Sequence, residues 1–261
     1  MKNNIIYYSD PLNDDFAGTK IKTKPTPNDY KYLHKNIFYR LFAFIIYSII
    51  VKPIVTVYIK IKYHQKFIGQ EKLKSYKNKG YFLYGNHTLL DGDAFIPNMI
   101  SKRKNFIIVG YDTFSIKGIG WLVEMLGAIP LPATFKNTKG FYEVIKYRIL
   151  KENRHITIYP EAHIWPYYTD IRPFKSASLR YPVQLDTPVF TLTNTFIKSR
   201  NKLRKTPKIV TYIDGPFYQN KNLKEKEQIE DLRNRIYETM KNRSKNSTYQ
   251  YKYEYHYKEK S

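Results

Sequence analysis

The segment Gly85-Asn-His-Thr-Leu-Leu-Asp-Gly-Asp-Ala-Phe-Ile-Pro97 brings together one histidine, His87, and two carboxylates, Asp91 and Asp93. A neutral imidazole near pH 7 can take a proton from an alcohol. A carboxylate on its other ring nitrogen fixes the tautomer and stabilises the imidazolium that forms. Such a pair activates a substrate hydroxyl without any nucleophile from the protein. Spacing alone does not select the carboxylate: on a continuous helix only Asp91, four residues on, would share a face with His87. Taken alone, His87 also reads as an ordinary turn histidine.

Rival chemistries lack their residues. The chain has no cysteine, which excludes disulfides, thiolate metal sites and a cysteine nucleophile. It has no G-x-S-x-G elbow, no P-loop, no G-x-G-x-x-G and no histidine pair at metalloprotease spacing. No metal and no cofactor are expected.

Asn86-His87 with a nearby Asp resembles the NHxxxxD signature of the glycerolipid acyltransferases, the 1-acyl-glycerol-3-phosphate acyltransferase family. Further blocks follow in that family's order. Gly127-Ala-Ile-Pro-Leu-Pro132 stands at its glycine-led second block. Tyr159-Pro-Glu161 resembles the start of F-P-E-G-T-R, and Phe174-Lys175 resembles the F-K that follows. Thr187-Pro-Val189 is similar to a late V-P-V strand entry, and Gly215-Pro216 lies near the usual G-x-P. The likeness runs over roughly residues 80 to 216.

The resemblance implies transfer of a fatty acyl group in phospholipid biosynthesis. The donor would be acyl-CoA or acyl-carrier protein as co-substrate. The acceptor would be a hydroxyl of a lysophospholipid or glycerol phosphate, with 1-acyl-glycerol-3-phosphate foremost. His87 would be the base and Glu161 would help hold the acceptor. Backbone amides at the helix start near Asp93 would face the oxyanion.

Two departures matter. The family's Asp lies five positions after its His, where this chain has Gly92, flanked by Asp91 and Asp93. Aligning Asp93-Ala-Phe-Ile with the apolar helix that follows the family's Asp favours Asp93, with one extra residue absorbed in the turn. Asp91 then reads as a helix cap or exposed turn residue. In addition, the second block lacks its Arg, and Glu161 is followed by Ala-His-Ile-Trp rather than Gly-Thr-Arg. Arg172, Lys175 and Arg180 are the candidate replacements for phosphate contact, with His163 a further donor.

The elements that must carry these residues read as an α/β fold, a mixed and largely parallel sheet flanked by helices. Short apolar runs at Tyr81–Tyr84, Phe106–Val109, Ile156–Tyr159, Val189–Leu192 and Ile209–Ile213 end at Gly or Pro or follow Pro, as strands do. Helical stretches lie between them at Ile119–Leu126 and Gly140–Lys151, and an amphipathic closing helix is expected over Asn222–Arg243. The site should then sit at the carboxyl ends of the strands. Residues 1–36 read as an irregular arm, 37–63 as a membrane-associated helical segment, 64–243 as the acyltransferase domain and 244–261 as a Tyr/Lys-rich tail. In 37–63 the Lys52-Pro53 pair predicts two short helices, re-entrant or interfacial, because neither apolar run reaches the ~20 residues of a span.

Lys and Arg number 45 against 22 Asp and Glu, a net charge of +23 spread along the chain. Its natural partner is a polyanion, either anionic lipid headgroups or nucleic acid. The ordered blocks favour the membrane surface, and no nucleic acid is expected. The start lacks a signal-peptide core, so the cytoplasmic face of the membrane is the expected location. The alternatives are an acyltransferase for a non-phosphate acceptor, or a basic membrane- or nucleic-acid-binding protein without activity.

Overall fold

The computed structural model describes residues 4–18, 25–115, 120–201 and 204–259. Nine strands follow in chain order: β1 (Asn4–Tyr8), β2 (Lys66–Ile68), β3 (Tyr81–Gly85), β4 (Asn105–Val109), β5 (Ala128–Pro130), β6 (His155–Ile158), β7 (Val189–Ile197), β8 (Lys208–Phe217) and β9 (Tyr253–Tyr257). Seven form one sheet in the order β2-β8-β7-β3-β6-β4-β5. All its pairings are parallel except β7 with β8. The expected mixed, largely parallel sheet is therefore present.

Strands buried on both faces read as unbroken apolar runs, and their side chains alternate between two cores. In β3, Phe82 and Tyr84 join one core with Phe141, Val144 and Ile145 of helix Phe135–Lys146 and with Leu232, Ile236 and Met240 of helix Glu225–Ser244. Tyr81 and Leu83 join the other with Ile59, Tyr63 and Ile96.

The segment expected as two short helices is one helix, Ile37–Tyr63, with mean hydropathy 2.1 over its most apolar window, long and apolar enough by length and composition to cross a membrane. Lys52-Pro53 does not break it. A π-helical stretch at Ile45–Val51 leads directly into the α-helical Lys52–Tyr63, and this wider stretch immediately before Pro53 is where the helix accommodates a residue without an N–H. Phe38, Phe42 and Ile49 are exposed on this helix, whereas Ile59 and Tyr63 are fully buried.

The arm expected to be irregular contributes β1, which pairs in parallel with β9 from the tail. This two-stranded ribbon covers Trp165, whose ring contacts Tyr8 and Tyr255 and whose Nε1–H donates to the Asp14 carbonyl at 2.7 Å. The first expected inter-strand helix occupies Gly120–Met125, and Ile119 lies outside the described residues. The next starts earlier than expected, at Phe135. The helix expected at Ala94 begins at Ile96, after a run of turns.

Candidate active site

β3 and β6 are parallel neighbours, so their carboxyl ends lie side by side and bring Asn86-His87 next to Tyr159-Pro-Glu161. Gly85 makes the approach feasible: a Cβ there would stand 2.7 Å from the Tyr159 ring. That ring stacks on the His87 imidazole at 4.7 Å between centroids, and the Tyr159 hydroxyl donates to the Asp93 carbonyl at 2.5 Å.

His87 Nδ1 and Asp93 Oδ2 are 2.8 Å apart. The same oxygen accepts the main-chain N–H groups of Thr88 at 2.8 Å and Leu89 at 2.9 Å, and the Asn194 amide donates to Oδ1 at 3.3 Å. An oxygen that already accepts two N–H groups acts as an acceptor here, so Nδ1 is the donor and Nε2 carries the lone pair. Nε2 bonds to no group among the described residues, and the His87 side chain keeps 26% of its surface exposed while Asp93 keeps 2%. Burial pushes the Asp93 carboxyl upward, and the hydrogen bonds from His87, Leu89 and Thr88 pull it back. The pair can accept a proton from a group that approaches from solvent.

Asp91 faces elsewhere. It forms an ion pair with Lys62 and accepts hydrogen bonds from Tyr63 at 2.7 Å and Tyr58 at 2.8 Å, which ties the turn after His87 to the end of the long helix. Burial would raise its carboxyl, but the hydrogen bonds from Lys62, Tyr63 and Tyr58 outweigh that and hold it below the usual range. It is neither an exposed turn residue nor a helix cap.

Glu161 is buried. One oxygen accepts the His87 N–H at 3.0 Å, and the other accepts the Arg172 N–H at 3.0 Å. The Arg172 guanidinium lies 3.4 Å from the same carboxylate, over the Trp165 ring at 4.8 Å, and donates to the His163 carbonyl. The expectation that Arg172 offers its charge to a phosphate is therefore corrected: only 1% of the residue is exposed, because its charge neutralises Glu161 in the core. Lys175 is exposed at the start of the 3-10 turn Ser176–Leu179, and Arg180 is also exposed. His163 is partly exposed, with Nδ1 3.6 Å from Asp15 of the arm.

Of the amides near Asp93 expected to face an oxyanion, that of Asp93 donates to the Leu89 carbonyl at 3.1 Å and that of Phe95 to the Gly92 carbonyl at 2.9 Å.

A sequence model of the family described as Acyltransferase matches residues 64–194, half of the chain. The chain belongs to the acyltransferase family. Among solved structures it is similar to the 1-acyl-sn-glycerophosphate (LPA) acyltransferase PlsC from Thermotoga maritima, with a TM-score of 0.54 and 17% identity over 84% of this chain and 87% of that one. That likeness establishes a shared fold. No curated protein sequence matches.

Within this acyltransferase two further positions stand out, one outside the sequence blocks and one inside the third. Asn194 in β7 is the first. Its side chain reaches Asp93, its N–H and carbonyl are bound by the Asn86 amide at 2.8 and 3.0 Å, and its Oδ1 accepts the Thr211 hydroxyl at 2.6 Å. The second is Ala162, which stands where the family carries glycine and has φ of +62°. An apolar cavity of about 220 Å³ is walled in part by Ala94, Phe95, Val55, Val123 and Leu126. Ala94 and Phe95 directly follow Asp93.

Proposed function

We propose that this acyltransferase moves a fatty acyl group from acyl-CoA or acyl-carrier protein to the hydroxyl of a lysophospholipid or glycerol phosphate, with 1-acylglycerol-3-phosphate the first acceptor to test. The observation that carries this reading is the His87–Asp93 pair, with a free Nε2 at the mouth of the strands; the apolar cavity walled by Ala94 and Phe95, which follow Asp93 in the chain, is consistent with it.

The acceptor hydroxyl gives its proton to Nε2 as its oxygen attacks the thioester carbonyl. Asp93 holds the imidazolium that results. Collapse of the tetrahedral intermediate breaks the carbon–sulfur bond, and the departing thiolate takes the proton back from His87. The chain's own residues carry the whole proton cycle, and the apolar cavity accommodates the acyl chain. The exposed apolar side of Ile37–Tyr63 rests in the membrane, where acceptor and product dissolve, and dispersed Lys and Arg favour an anionic cytoplasmic face.

A second reading follows from Arg172. Because its guanidinium is bound to Glu161, it is not free for an acceptor phosphate, which favours an acceptor without one. Mass-spectrometric assay of purified protein with acyl-CoA separates the two readings. Preference for lysophosphatidic acid over monoacylglycerol supports the first, and equal use supports the second. Loss of at least ~100-fold in His87→Ala is expected with either acceptor. Full activity in that variant removes both readings.

A further inference from the structure

A larger cavity, of about 410 Å³, lies away from the catalytic pair. Lys104 and Arg154 immediately precede β4 and β6, at the amino-terminal edge of the sheet, whereas His87 follows the carboxyl end of β3. Its walls come from the arm (Tyr30, Tyr32, His34), the first half of the long helix, β5 and the helix around Arg148.

Its charges do not balance. Arg40, Lys102, Lys104, Arg148 and Arg154 line it against Glu124 and Glu152, five cations to two carboxylates, an excess of three. Both carboxylates are already engaged. Glu152 pairs with Arg148 at 2.6 Å and Arg40 at 3.6 Å, and Glu124 receives Tyr30 at 2.9 Å and His34 at 2.8 Å. Arg154 forms no ion pair among the described residues, and Lys104 Nζ has no carboxylate partner there: it donates to the Met125 carbonyl at 2.5 Å and lies over the Tyr47 and Phe106 rings at 4.9 and 5.2 Å. Arg148 Nε and the Tyr32 and Tyr39 hydroxyls are buried with no partner. Burial, with Arg148 and Arg154 nearby, pushes the Lys104 ammonium down to about 7, so near neutral pH it is only partly charged in the empty cavity and the excess lies between two and three.

Arg40 and Lys102 reach solvent, but Lys104 and Arg154 are half-buried without a carboxylate partner, beside idle donors, and a multiply charged anion would satisfy both. A carboxylate offers two oxygens and one charge. A phosphate offers more acceptors and, as a monoester, close to two charges, which suits guanidinium forks and an ammonium together.

We propose that this cavity is a phosphate-binding site, separate from the catalytic centre and centred on Lys104, Arg148 and Arg154. The phosphate belongs to a membrane lipid headgroup or to a soluble phosphate. The first source is reachable because the long helix that forms one wall exposes Phe38 and Phe42 on its surface.

The test uses the full purified chain. Inorganic phosphate is titrated by calorimetry at constant ionic strength, with chloride as control. Saturable binding is expected in the wild type and in His87→Ala, with at least a tenfold weaker Kd in Lys104→Met and in Arg154→Gln, each checked for folding by its melting curve. Vesicles of phosphatidic acid, whose headgroup is a phosphate monoester, and of phosphatidylcholine then identify the source. If both variants lose vesicle binding along with phosphate binding, the ligand is a headgroup, and if vesicle binding stays intact, it is a soluble phosphate. Absence of saturable phosphate binding in the wild type overturns the proposal, whatever the variants do. Binding that both folded variants retain in full overturns it too.

Discussion

The carboxylate of Glu161 holds the main-chain N–H of His87 at 3.0 Å, from a position where it also neutralises buried Arg172. Removing it leaves a buried guanidinium without its counter-charge and frees the turn that presents the imidazole. Glu161→Ala should lower stability by about 3–5 kcal/mol in urea denaturation, the usual range for breaking a buried pair from one side. Adding Arg172→Met to Glu161→Ala should recover part of that loss. If the double variant is no more stable than the single, the ion pair is not what Glu161 supplies.

Asp93 and Asp91 should separate cleanly. Asp93→Asn keeps an acceptor oxygen but removes the charge that stabilises the imidazolium, so transfer should fall by at least ~100-fold with the melting temperature little changed. Asp91→Asn weakens a partly exposed pair with Lys62, worth ~1 kcal/mol or less, and should leave the rate within a few-fold of wild type. Rates measured on both variants decide it, and the reverse ranking would contradict the assignment.

How much was readable beforehand depended on whether a signal was local. The runs that became β3, β4, β6, β7 and β8 are buried on both faces, so apolar composition marks them directly. The three-residue β2 and β5 are too short to show a period, and β1 and β9 are defined only by each other across nearly the whole chain. In the site, His87 and Asp93 were legible because six residues of turn bring them together. Asn194 was not, because it reaches Asp93 only through the pairing of β3 with β7. Arg172 was misread for a related reason: a basic residue near a motif looks available until burial shows that Glu161 has taken its charge.

Ala162 gives a stability test of the departure from the family's glycine. A φ of +62° disfavours a side chain by about 1–2 kcal/mol. Glycine relieves that while adding freedom to the unfolded chain, worth about 0.4–1 kcal/mol. Ala162→Gly should therefore raise the melting temperature by a few degrees at most. A lower melting temperature would show that the Ala162 methyl makes contacts that outweigh the strain.

Lys104 sets a pH dependence. Its folded value, down to about 7, lies below that of an unfolded lysine, so between these values the unfolded chain binds more protons and stability rises with pH. Arg148 and Arg154 strengthen the effect, and Glu152 and Glu124 oppose it. Between pH 7 and pH 9 the ligand-free wild type should gain on the order of 1 kcal/mol relative to Lys104→Met. Parallel melting curves for the two proteins would remove this account.

Membrane attachment is best probed by substitution. Deleting the long helix would strip Ile59 and Tyr63 from the core, so loss of binding would be confounded by unfolding. Phe38→Glu, Phe42→Glu and Ile49→Glu together place charge on exposed apolar positions and should move the protein from the membrane pellet to the supernatant, with its melting temperature within a few degrees of wild type. Continued pelleting of the folded triple variant would locate the anchor elsewhere.

The ribbon of β1 and β9 also bears on the order in which the molecule is made. β1 leaves the ribosome before every strand of the seven-stranded sheet, yet its partner β9 follows all of them. Until then neither strand can close over Trp165, the residue whose N–H is held by the His87 carbonyl at 3.1 Å. The sheet can assemble during synthesis, but the loop behind the histidine gains its final cover only once β9 has been released. A nascent chain stalled before β9 would thus carry a formed sheet and an unsecured His87 turn.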